Sequence, residues 1–135
     1  METHSVVFQI FGMNISPNSI SDQLGLAPDE SLAPDTVIGT YKGKEHTTGV
    51  GTWSISGRSE TKQLETQIEE LLPALRLRKE ALEELKRLGW KMRFFCGVFT
   101  DNAAPGVSLP SEMLAEVGDL GIDIDIMYYF QKSDL

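Results

Sequence analysis

Cysteine and histidine, the residues behind most disulfides and many metal sites, are nearly absent from this 135-residue chain. The one cysteine, Cys96, cannot form a disulfide within the chain, which is typical of proteins from a reducing compartment. The two histidines, His4 and His46, give no zinc-ligand spacing with it. We therefore expect no bound metal, two exposed histidines, and a buried Cys96 that packs as a small apolar side chain.

Positive charge is also scarce, with 12 Lys and Arg against 20 Asp and Glu and a net charge of -8. An excess of negative charge repels nucleic acid and anionic lipid, so we expect neither nucleic acid nor a membrane as a partner. The sequence shows no signal-peptide pattern and no apolar run of membrane-spanning length. These features predict a cytoplasmic location.

Motifs of catalysis and of cofactor binding are missing as well. Gly43-Lys44 lacks the other residues of a phosphate-binding loop, and no nucleophile elbow occurs. Asp123 and Asp125 share one face of a predicted strand, but two carboxylates supply too few ligands for a cation. The bases within residues 76–79 have acidic neighbours, which favours a solvated helix face over a phosphate site. We predict no catalytic residue and no cofactor.

The most informative feature that is present is Leu-Gly followed by a large apolar residue, which occurs at residues 24–26, 88–90 and 120–122. Each triplet closes a stretch with helical spacing of apolar residues. Glycine adopts the left-handed conformation that ends a helix, and the apolar residue after it can fold back onto the last turn. The triplets therefore predict three helix ends.

Hydrophobic periodicity predicts the remaining elements. The predicted strands cover residues 5–11, 37–42, 50–56, 91–99 and 122–130, and the predicted helices cover residues 17–24, 64–88 and 111–120. Pro73 predicts a kink or a break in the long helix. The first six elements follow a ferredoxin-like order, and a helix and a strand follow them. We expect one α+β domain over residues 1–135, with a mixed, largely antiparallel sheet of about five strands backed by helices.

Several short motifs together resemble the bacterial family of domains of unknown function numbered 4279. The resemblance rests on residues 8–12 (FQIFG), 16–17 (SP), 24–26 (LGL), 53–56 (WSIS), 75–79 (LRLRK), 96–99 (CGVF) and 120–126 (LGIDIDI). It covers nearly the whole chain. It implies a fold and a bacterial origin, and it implies no activity.

Strand parity places a mixture of aromatic and charged side chains on the sheet face opposite the helices. The candidate face comprises Gln9, Phe11, Arg93, Phe95, Phe99, Asp123, Asp125 and Tyr129, with Met127 among them. This composition suits a contact surface or a shallow ligand site. Two other interpretations stay open: residues 27–60 cover the face, or the face is simply amphipathic.

Two functions follow from this candidate face. The first is a non-enzymatic interaction module that binds a second copy of itself or an unidentified protein partner. The second is a small-ligand binding domain or an enzyme, with a pocket between the face and the loop of residues 43–49. A flat apolar patch would favour the first function, and a concave pocket with convergent polar groups would favour the second.

Overall fold

The computed structural model describes residues 2–57 and 63–131. The strands are β1 (Glu2–Met13), β2 (Glu30–Leu32), β3 (Val37–Tyr41), β4 (Lys44–Thr47), β5 (Val50–Ser56), β6 (Lys91–Thr100) and β7 (Asp123–Phe130). The helices are α1 (Ile20–Leu24), which follows a short 3-10 turn at Pro17–Ser19, α2 (Leu64–Arg76), α3 (Lys79–Arg87) and α4 (Ser111–Asp119).

Five strands form one sheet in the order β2-β5-β1-β6-β7. Neighbouring strands are antiparallel except β6 and β7, which are parallel and are connected through α4. The predicted α+β class with a mixed, largely antiparallel sheet is confirmed. The β2-β5-β1-β6 portion has the ferredoxin-like arrangement, and α4 with β7 is the predicted extension.

Alternation along the central strands divides the sheet into two faces. In β1, Val6, Phe8 and Ile10 are buried, and the residues between them are only partly buried. The Phe8 ring meets Phe94 at 5.6 Å and Trp53 at 6.5 Å between ring centroids. The apolar faces of the helices complete this core, so the helices cover one face and leave the other, here called the open face.

The three Leu-Gly triplets end helices as predicted. Gly25, Gly89 and Gly121 all have positive φ, at 65°, 104° and 75°. The residue after each glycine donates its amide to a carbonyl in the last helical turn, which is the Schellman pattern: Leu26 to Ser21, Trp90 to Leu85 and Ile122 to Val117. Trp90 and Ile122 are buried, so each cap also places an apolar side chain in the core just before a strand.

The prediction for residues 27–60 was partly wrong. The strand at Val37–Tyr41 exists, but it pairs with β4 in a separate two-stranded ribbon. Its place at the sheet edge is taken by Glu30–Leu32, which pairs with β5. All residues of β3 and β4 are exposed, because β3 has no alternating apolar face to pack on the core. The predicted loop of residues 43–49 contains β4.

The break in the long helical region lies at residues 77–78 and not at Pro73, which sits inside α2. Pro73 is exposed, so water can reach the carbonyl that it leaves without an amide donor. At the break, the Arg78 side chain donates hydrogen bonds to the carbonyls of Ala74 and Leu24. It thereby binds the C-terminal ends of α2 and α1, where a cation is favoured.

Candidate functional site

The cross-strand register brings the eight predicted residues together on the open face. Gln9, Arg93 and Asp123 lie side by side on β1, β6 and β7. The other five follow the same parity along these strands, with Phe11 at one end of the face and Phe99 and Tyr129 at the other. The structure therefore assembles this face, and its function stays a prediction.

Arg93 organises one half of the open face. Its guanidinium lies 4.9 Å from the ring centroid of Phe11 and 4.8 Å from that of Phe95. Its Nε donates to Gln9 Oε1 at 2.8 Å, and one terminal nitrogen donates to Asp125 Oδ2 at 3.1 Å. Such contacts between a cation and two rings are favourable, and they hold the guanidinium in one geometry. Gln9, Arg93 and Asp125 thus bind one another, which leaves these three groups poorly arranged to capture a ligand.

The other half of the open face is apolar and more exposed. Phe99 and Tyr129 stack with ring centroids 4.6 Å apart and an interplanar angle of 10°. Met127 lies beside them on β7, level with Gly97 of β6. The Phe99 ring lies against Gly97, where a Cβ would come within 3.1 Å of a ring carbon, and Met127 and the stacked rings are exposed to solvent.

Exposed aromatic residues continue around β7 onto the side of the sheet that carries the helices. Tyr128 and Phe130 alternate with Met127 and Tyr129, and they border a groove of about 470 Å³ beside residues 102–105. We call the whole surface the aromatic edge: Phe99, 40% exposed, Met127, 47%, Tyr128, 52%, Tyr129, 41%, and Phe130, 57%. Sequence reasoning missed Tyr128 and Phe130, although the unbroken run Met-Tyr-Tyr-Phe signals a strand that is apolar on both faces.

A groove lies at residues 43–49, but it is not the pocket predicted between this segment and the open face. This groove includes Thr47 and Gly49, and the rest of its lining comes from residues 14–18 and 33–35. None of the eight face residues contributes to it.

His4 does not lie on the surface as predicted but is buried at the start of β1. Its Nδ1 accepts a hydrogen bond from the Leu64 amide at 3.2 Å, so its proton is on Nε2, which donates to Glu2 Oε2 at 2.9 Å. The hydrogen bonds from His4 and Thr100 lower the pKa of the Glu2 carboxyl. His4 therefore connects β1 to the first turn of α2, which is a structural role.

Cys96 and the basic residues of the long helical region also have structural roles. Burial, with a smaller effect of the Asp125 charge, raises the pKa of the Cys96 thiol to about 12, so the thiol is inert.

Arg76 binds both carboxylate oxygens of Glu116 at 2.8 and 2.6 Å, and Lys79 binds Asp119 at 2.6 Å. These bases are neutralised by α4, and within residues 2–57 and 63–131 no cluster of three metal-ligating side chains occurs.

The fold and the site define a class of protein: an α+β domain with helices on one sheet face, an open face opposite them, and an exposed aromatic edge strand. The chain belongs to the family described as Domain of unknown function (DUF4279), whose model matches residues 1–131 of 135. Neither the curated proteins nor the solved structures contain a match to it. Among the described helices, none has the length and apolar character needed to cross a membrane.

Proposed function

We propose that this domain is a non-enzymatic, cytoplasmic protein-interaction module that self-associates through the aromatic edge. The observation that carries the proposal is the exposure of five large apolar side chains on β6 and β7, four of them consecutive along β7. Single exposed apolar residues are ordinary on protein surfaces, whereas contiguous apolar patches mark interaction sites.

The internal bonding of the open face supports this choice of surface. Arg93 already binds Gln9 and Asp125 and is enclosed by Phe11 and Phe95, so this half gains little from a partner. The aromatic edge instead gains free energy whenever water leaves it, at about 25 cal/mol for each Å² of apolar surface buried. Burial of rigid rings also costs little side-chain entropy, which is why aromatic residues are enriched at interfaces.

Charge is compatible with a second copy as the partner when the contact is mainly apolar. Each chain carries a net charge of -8, so two copies repel, and a contact built mainly from side chains without charge adds least to this repulsion. The five residues of the aromatic edge include no Asp, Glu, Lys, Arg or His.

A second candidate function is the binding of a small apolar ligand. The groove of about 470 Å³ beside Tyr128 and Phe130 favours it, because its volume is within the range of small-molecule sites. The groove is open on one side, and polar groups do not converge on it, so self-association is the better supported function.

The test is sedimentation equilibrium of the wild type, Tyr129→Glu and the matched control Leu77→Glu. Leu77 is 84% exposed and lies at the junction of α2 and α3, away from the aromatic edge. Tyr129→Glu removes apolar contact and places a charge in the interface, so we expect the dimer to weaken by on the order of 1–3 kcal/mol, or about fivefold to 150-fold in Kd. Leu77→Glu should associate as the wild type does.

Circular dichroism shows whether each variant remains folded. A wild type that stays monomeric, or a folded Tyr129→Glu that associates as strongly as Leu77→Glu, contradicts the proposal. A monomeric wild type that binds a small apolar dye in a manner blocked by Phe130→Ala would favour the second function.

A further inference from the structure

β7 is the outermost strand of the sheet, and this position bears on how the aromatic edge would bind a second copy. Within residues 2–57 and 63–131, β6 is the one strand that pairs with β7, so one side of this eight-residue strand has no strand partner there. The opposite edge is β2, which is three residues long and carries Glu30. Short and charged edge strands resist pairing, whereas a long apolar edge invites it. Along Asp123–Phe130 there is no proline, lysine or glycine, and the two acidic residues, Asp123 and Asp125, lie at its N-terminal end, so residues 126–130 form an uncharged edge.

The exposed side chains of β7 lie on both faces of the strand. A contact through the open face alone would cover Met127 and Tyr129 and leave Tyr128 and Phe130 in water. A strand added beside β7 instead brings neighbours to both faces at once, because cross-strand side chains meet on each side of a sheet. The pattern of exposure therefore fits edge pairing better than face-to-face packing.

We infer that β7 pairs antiparallel with β7 of a second copy and joins the two sheets into one of ten strands; this rests on the self-association proposed above. A two-fold axis perpendicular to the sheet generates such a pair and leaves no free β7 edge. Residues that face each other across this pair must share parity, since side chains opposite one another lie on the same face.

The acidic residues of β7 restrict the register. Pairing centred on residue 123, 124 or 125 sets Asp against Asp, which is unfavourable, and pairing centred on residue 126 sets Asp125 opposite Met127, which offers the carboxylate no hydrogen-bond donor. Pairing centred on Met127 sets Asp125 opposite Tyr129 and Asp123 opposite Gln131 of the second copy, so each carboxylate faces a side chain that can donate a hydrogen bond. This register also sets Met127 against Met127 at the two-fold axis.

The backbone of β7 is consistent with this register. The Gln131 amide donates to the Thr100 carbonyl of β6 at 2.9 Å, so odd-numbered residues of the strand direct their backbone groups inward. Even-numbered residues then direct theirs outward, and Ile126 would exchange hydrogen bonds with Tyr128 of the second copy. The two Met127 residues form a non-hydrogen-bonded pair, whose Cα atoms lie about 4.5 Å apart in antiparallel sheets.

A cysteine at this position tests the pairing, because the Cα separation lies within the range that a disulfide spans. We expect Met127→Cys to form a disulfide-linked dimer on mild oxidation roughly tenfold faster, or more, than Leu77→Cys, since pairing raises the effective thiol concentration. The wild type, which has only the buried Cys96, should form no cross-link. The oligomeric state of the wild type is measured alongside by sedimentation.

The outcomes separate the two proposals. A dimeric wild type with rapid cross-linking of Met127→Cys supports the pairing. A dimeric wild type in which Met127→Cys cross-links no faster than Leu77→Cys overturns the pairing and leaves self-association standing. A monomeric wild type with slow cross-linking overturns both.

Discussion

At the scale of single residues, His4 has a structural role that its position in the sequence does not indicate. It stands next to the start of the sequence in a polar context, which is typical of an exposed residue. The structure buries His4 because β1 begins at Glu2, before residue 5, where the strand predicted from the apolar residues begins. The Leu64 amide donates a hydrogen bond to the imidazole of His4. The two residues are 60 positions apart, so no local sequence pattern indicates this contact.

Replacing His4 gives a prediction at this scale. His4→Ala leaves the Leu64 amide without its acceptor and opens space beside α2, so we expect a loss of about 1–3 kcal/mol in the free energy of unfolding. His46→Ala is the matched control, since His46 is exposed on β4 and its removal should cost little. Urea denaturation followed by circular dichroism measures both. Equal stability of the two variants would refute the structural role of His4.

At the scale of elements, helix ends and strand parity could be read from the sequence, while the partners of strands could not. Each Leu-Gly triplet carries its capping signal within a few residues, so all three helix ends were predictable. At the break of residues 77–78, Arg78 makes a hydrogen bond to Leu24, a tertiary contact that no local pattern indicates. Pro73 is a local signal for a break, but it lies on the exposed side of α2, which continues through it. Likewise, nothing near Val37 specifies that β3 pairs away from the main sheet.

The edge strand offers a prediction at the same scale. Tyr128→Pro removes an outward amide that the monomer does not use but that pairing with a second copy requires. We expect this variant to stay folded and to lose most of its association, whereas Tyr128→Ala, which keeps the amide, should retain more. Circular dichroism checks folding, and light scattering measures mass. A folded Tyr128→Pro with the association of Tyr128→Ala would show that the β7 backbone is not in the interface.

At the scale of the whole molecule, the candidate face was predictable because parity on β1, β6 and β7 is strict. Gln9, Phe11, Arg93, Phe95, Phe99, Asp123, Asp125 and Tyr129 all lie on the open face. Its division into two halves was not predictable. The Arg93 cluster depends on the register that sets Gln9 beside Arg93, and the aromatic edge depends on β7 being outermost in the sheet. Both follow from strand order, which the sequence leaves open.

The most direct test of the account is the mass of the wild-type protein in solution, measured by light scattering over a range of concentrations. We predict that the mass rises with concentration toward twice that of one chain, because the uncharged aromatic edge is buried between two copies. A mass of one chain at every concentration up to about 1 mM would mean that any association is weaker than about 4 kcal/mol, and it would contradict the account.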